Sequence, residues 1–132
     1  MRHIVVGLTI AAAIIAASMP LMAHHSFAAE FDSNKQVKMT GIVTKIDWTN
    51  PHVWFYVDVK DTNGKINNWG FEMGPPHLLQ GGGWTRTTMK IGDTVTVQGT
   101  AAKNGSNRAN ARSVTTPDGK RMGAASSEAT NP

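Results

Sequence analysis

Alternation of apolar and polar residues organises most of this chain. From Val37 to Trp48 (VKMTGIVTKIDW) the alternation changes phase near Gly41. Val37 and Met39 fall on one face, Ile42, Ile46 and Trp48 on the other. A glycine at such a shift predicts a β-bulge, where a strand bends between two sheet faces. Thr49-Asn50-Pro51 then ends the run, because proline donates no hydrogen bond and restricts the residue before it. His52 to Lys60 (HVWFYVDVK) alternates cleanly, with Val53, Phe55, Val57 and Val59 on one face and His52, Trp54, Tyr56 and Asp58 on the other. Asn63-Gly64 predicts a type I′ hairpin turn. The return strand, Lys65 to Met73, places Trp69, Phe71 and Met73 together and sets Asn68, Gly70 and Glu72 opposite them.

The next stretch, GPPHLLQGGGWTRTTM, has no strand pattern. Pro75-Pro76 predicts one helical turn through His77-Leu78-Leu79, which the following glycines end. A fourth strand runs from Thr94 to Thr100, with Val95 and Val97 inward. Asn104-Gly105 marks a second hairpin tip, and a fifth strand lies around Arg108 to Thr115. The expected fold is therefore all-β: a small five-stranded OB-fold-like barrel with a short helical turn between strands three and four. A five-stranded sandwich would share much of this pattern.

The start of the chain follows another rule. Arg2 and His3 precede an apolar run from Ile4 to Ala17, and Leu21-Met22-Ala23 supplies a small residue before a cut. This is the pattern of a signal-peptide helix over residues 1–23, and the run is short for a membrane span. The reading divides the rest into an N-terminal segment of the mature chain (24–36), the OB-like domain (37–120) and a disordered tail (121–132). The mature protein is expected in the periplasm or outside the cell, with no membrane span after cleavage. An uncleaved anchor is the competing reading.

Composition narrows the function classes. There is no cysteine, so disulfides, thiolate metal sites and thiol redox chemistry are excluded. The net charge of +4 is spread thinly, with short clusters such as Arg108/Arg112 and Lys120-Arg121. A nucleic-acid partner is not expected on that balance. The serines lie in no nucleophile elbow, the aspartates form no recognisable acid pair, and the glycine run lacks a phosphate-loop lysine. A non-catalytic protein is the expectation.

The segments AHHSFAAEFD, GIVTKIDWTNPHVWFYVDVKD, NWGFEMGPP, GWTRTTMKIGDTVTVQGTAAKNGS and RANARSV together resemble a family of uncharacterised exported bacterial proteins, the domain of unknown function family 6152. The resemblance implies export and a small β-rich domain, and brings no activity, substrate or cofactor. Gln80-Gly81-Gly82-Gly83 departs from the bulkier or charged residues expected there, so no side-chain role is assigned to Gly81 or Gly82.

Candidate chemistry centres on histidine. Cleavage after Ala23 would give His24 a free α-amine beside its imidazole, with His25 next to it, a set suited to copper or zinc. His52, at the start of the second strand, and His77, past the paired prolines, could add imidazoles, with Glu72 as a carboxylate ligand. Exposed histidines near termini also bind metal adventitiously, and a lone histidine at a strand start commonly serves a turn. A small ligand is the other possibility. Trp54 and Tyr56, with Asn50 at the chain break and Arg86 beside Trp84, could form its contact face. Packing competes with this, and Phe27 and Phe31 are candidates to cover that face. Trp69 reads as core and Trp84 as cover. An alternative class is a structural or partner-binding envelope protein that uses the Trp54/Tyr56 face or the Trp84–Arg86 loop. Single-strand nucleic-acid binding is a third, which the fold invites and export disfavours.

Overall fold

The computed structural model describes residues 27–130. The signal-peptide expectation, His24 and His25 lie outside the described residues. Six strands run in the order β1 (Phe31–Asp47), β2 (Trp54–Lys60), β3 (Ile66–Glu72), β4 (Thr94–Ala102), β5 (Arg108–Thr115) and β6 (Arg121–Gly123), with one short helix, α1 (Pro76–Gly81), between β3 and β4. Among these described residues no helix is long and apolar enough to cross a membrane.

Neighbouring strands pair β3-β2-β1-β4-β5-β6. A further parallel pairing joins β3 to β5, through Gly70↔Arg108, Phe71↔Ala109 and Glu72↔Asn110. Each of β1 to β5 therefore has neighbours on both sides. The long β1 makes this possible, because Gln36–Ile42 pairs with β4 while Ile42–Asp47 pairs with β2.

The inward alternation packs Val43, Val53, Phe55, Val57, Phe71, Met73, Val95 and Val97 into one core. Phe55 and Phe71 stack at 5.3 Å, and Leu79 of α1 plugs the same cluster. The Leu78 and Leu79 N–H groups both donate to the Pro75 carbonyl, which starts α1 as the paired prolines predict.

Several details correct the sequence reading. The extra residue of the β1 bulge is Thr44, not Gly41, since Val43 opposes Val57 and Lys45 opposes Tyr56. Gly41 stays in register with Val95, and Ile42 is left outward and 52% exposed. The β2–β3 turn is not type I′. Gly64 has positive φ (+81°) and Asn63 does not, and the Asp61 carboxylate accepts from the Asn63 and Lys65 N–H groups instead.

The domain also continues past residue 120, where a disordered tail was expected. β6 adds a sixth strand against β5, and Met122, Ala124 and Ser126 are buried. The two outer tryptophans exchange roles. Trp84 is 2% exposed, its indole N–H donating to the Gly123 carbonyl at 2.8 Å, while Trp69 is only partly buried. The Trp84–Arg86 loop therefore offers exposed Arg86 without the tryptophan as a contact surface.

Candidate binding site

The site is built by register. In β2 and β3, Trp54 faces Glu72 and Tyr56 faces Gly70. The parallel β3–β5 pairing adds Asn110 beside Glu72 and Arg108 beside Gly70. Two rows thus cross three strands on the side away from the core: Trp54–Glu72–Asn110 and Tyr56–Gly70–Arg108. Gly70 has a steric reason to be glycine, because a Cβ there would meet the Tyr56 ring at 3.2 Å.

His52 stands one residue before Val53, whose N–H donates to the Gly74 carbonyl at 3.1 Å and whose carbonyl accepts from the Met73 N–H at 2.8 Å. That clamp brings the imidazole Nδ1 to 3.4 Å from Glu72 Oε1. The same carboxylate oxygen accepts from Asn110 Nδ2 at 3.2 Å. Asn110 is 1% exposed, and its own Oδ1 accepts from Ser126 Oγ at 2.5 Å. Two side-chain links thus tie the carboxylate to the C-terminal segment.

Glu72 is an acid removed from water, with 9% of its surface exposed. Burial pushes its carboxyl above the ordinary carboxylate value, and nearby Glu30 adds to this. The His52 imidazole, the Asn110 hydrogen bond and Arg108 pull the other way. Arg108 also lies 3.8 Å from Glu30 Oε1 and stacks over Trp54 at 4.6 Å.

Because Glu72 ionises less readily folded than unfolded, its contribution to stability is greatest below the unfolded value of 4.5. The contribution is lost as pH rises through the folded value. Glu72→Gln keeps an acceptor for Asn110 and does not titrate. The variant should therefore gain stability relative to the native protein as pH rises from below 4.5 to neutrality. Urea unfolding across that range checks the sign, and the same comparison with His52→Asn in both proteins isolates the imidazole's part.

Other residues singled out in the sequence lie elsewhere. His77 is exposed on α1, Arg86 is exposed in the connection that follows, and Asn50 is exposed at the cis Asn50-Pro51 bond. Among the described residues no three His, Asp or Glu side chains come together to hold a metal ion. Of the expected ligands among the described residues, His52 and Glu72 meet and His77 does not join them. Phe27 and Phe31 do not cover the aromatic face but pack on each other, 5.4 Å apart, and on Ala102. Tyr56 carries the Lys45 ammonium 5.3 Å from its ring centroid.

The residues missed in the sequence are Asn110, Ser126, Glu30 and Arg108. Their roles depend on the parallel pairing and on chain ends, which carry no local signal.

No curated protein matches the sequence. Among solved structures, the chain is similar in fold to a mitochondrial single-stranded DNA binding protein of S. cerevisiae, at 10% identity and a TM-score of 0.48. That match covers 65% of this chain and 93% of the other, and carries no argument about function. A family model matches residues 12–111, spanning β1 through the first half of β5, and the chain belongs to that family, the family of unknown function DUF6152.

Proposed function

We propose that the mature protein is an exported, non-catalytic binding module, built on a small OB-like barrel, that takes a transition-metal ion, copper before zinc. The observation that carries this is the His52–Glu72 pair: an imidazole nitrogen 3.4 Å from a carboxylate that Asn110 pins in place. A carboxylate oriented by a hydrogen bond from a buried amide is how a ligand is held ready for metal. The cyclic pairing of β1 to β5 supports the barrel reading. His24 and His25 would complete the set: they precede by a few residues the short helical segment 27–30, whose last residue, Glu30, bears on the Glu72 carboxyl. With an amine and imidazoles available, Cu(II) is favoured over Zn(II) in the usual order.

The test is calorimetric titration of processed protein, beginning at His24, with Cu(II) and with Zn(II). One equivalent of Cu(II) should bind, and His52→Ala, Glu72→Gln and the His24→Ala/His25→Ala pair should each weaken it by about tenfold or more. His77→Ala should leave it unchanged. Native affinity in the His52→Ala and Glu72→Gln variants would overturn the site.

The second reading is an envelope protein that binds a protein partner through the Trp54/Tyr56 face. It is favoured by two half-buried aromatic rings on one sheet face. Each ring already carries a cation, which suits packing within the molecule better than stacking of a ligand. Co-purification of a partner, lost in Trp54→Ala, would support it.

A further inference from the structure

We propose a second binding surface, independent of the His52–Glu72 site, that takes an acidic polysaccharide along the outer face of β1, β4, β5 and β6. Register assembles it. Lys38 faces Gln98, which faces Ser113; Thr40 faces Thr96, which faces Thr115, which faces Arg121. The inward partners in these strands, Val95, Val97, Val114 and Met122, are buried, so the polar set is the solvent side.

This face is concave. A groove of about 480 Å³ is lined by Lys38, Thr40, Thr96, Gln98, Thr115 and Arg121. A second, of about 320 Å³, shares Lys38 and Gln98 and extends to Gln36 and Arg112. The two grooves adjoin at Lys38 and Gln98; amides, hydroxyls and cations line the first, and Val37 and Gly99 also line the second.

The charge is uncompensated where it matters. Arg121 is held rigid by neutral acceptors, its Nε–H donating to Ser113 Oγ at 3.1 Å and Nη2–H to Gln98 Oε1 at 2.9 Å. Among the described residues no carboxylate pairs with Arg121 or Lys38, whereas Arg112 of the second groove is paired with Glu128 at 3.0 Å. A fixed guanidinium keeps further N–H groups for a carboxylate beyond its two internal bonds.

The lining selects among polyanions. No aromatic ring lines either groove, which disfavours the stacking that single-stranded nucleic acid uses. No large apolar anchor is present for a protein hot spot. The cations are too few for the dense basic clusters that hold anionic membranes. Amide and hydroxyl groups interleaved with two or three cations match a chain of sugar hydroxyls punctuated by carboxylates.

The experiment titrates the processed full chain with polygalacturonate, with neutral dextran, with single-stranded oligothymidylate and with phosphatidylglycerol vesicles. Polygalacturonate should bind, dextran should not, and added salt should weaken the complex. Lys38→Gln/Arg121→Gln should lower affinity by about tenfold or more, and Arg121→Lys should lose part of it by removing the fork. Glu72→Gln should bind polygalacturonate as the native protein does, which separates this surface from the metal site. Circular dichroism confirms that each variant is folded; should the double variant unfold, Arg121→Lys and Lys38→Gln singly carry the test. Absence of polygalacturonate binding, unchanged affinity in folded variants, or tighter binding of oligothymidylate or vesicles would each overturn the proposal.

Discussion

Gly41→Val should destabilise the protein by about 3 kcal/mol or more and lower its urea midpoint accordingly. The reason is steric. A Cβ at position 41 would sit 2.1 Å from the Asp58 carbonyl oxygen and 2.8 Å from Val57 Cγ1. The oxygen is backbone in the middle of β2, so it cannot swing aside. Relief requires β1 and β2 to separate where β1 passes from its β4 pairing to its β2 pairing. That junction holds the sheet's cyclic pairing together. A domain of this size has a total stability of only about 5–15 kcal/mol, so the loss is a large share. Gly123→Ala is the control: a Cβ there meets nothing within 4 Å, and its unfolding midpoint should stay close to native. Urea unfolding of both variants decides the matter. A native midpoint for Gly41→Val would mean that the strands are not this close.

The same glycine shows what the sequence could and could not convey. Its presence between two apolar phases correctly signalled a special backbone position, and a bulge does lie in β1. Steric demand and phase change are nevertheless separate events, three residues apart, at Gly41 and Thr44. Local alternation located β2, β3 and β4 because each is a short strand with one face in the core, where burial follows period two. It failed at the C-terminus for a related reason. Met122, Ala124 and Ser126 do alternate inward, but alanine and serine carry too little hydropathy to distinguish a packed segment from a tail.

The site was half legible. His52 and Glu72 stood out as ligand types, yet their meeting depends on the Val53 clamp on Met73 and Gly74. Asn110 and Arg108 reach the site only because β3 and β5 pair in parallel, a contact between segments nearly forty residues apart that no local pattern encodes. Likewise, the cations of the β1–β4–β5–β6 face looked scattered along the chain, and register alone brings Lys38 and Arg121 into one trough.

Phe71→Ala should cost about 3–5 kcal/mol, the range for removing a fully enclosed aromatic side chain. Phe71 is 0% exposed, stacked on Phe55 at 5.3 Å and beside Trp69 at 6.4 Å, so its removal takes a ring from the middle of an aromatic row. Backbone pairing on both sides of β3 limits how far neighbours can collapse into the space, which places the cost toward the upper part of that range. The residue also links core to site. It precedes Glu72 and pairs with Ala109, which precedes Asn110, so a shift of β3 against β5 changes the Glu72–Asn110 geometry. Phe71→Leu keeps most of the apolar volume and should cost much less. The measurement is urea unfolding of both variants together with Cu(II) titration under conditions where each remains folded. Phe71→Ala should lose affinity as well as stability, whereas Phe71→Leu should hold affinity near native. If Phe71→Ala bound Cu(II) like the native protein while losing the expected stability, the site would not depend on the β3–β5 register.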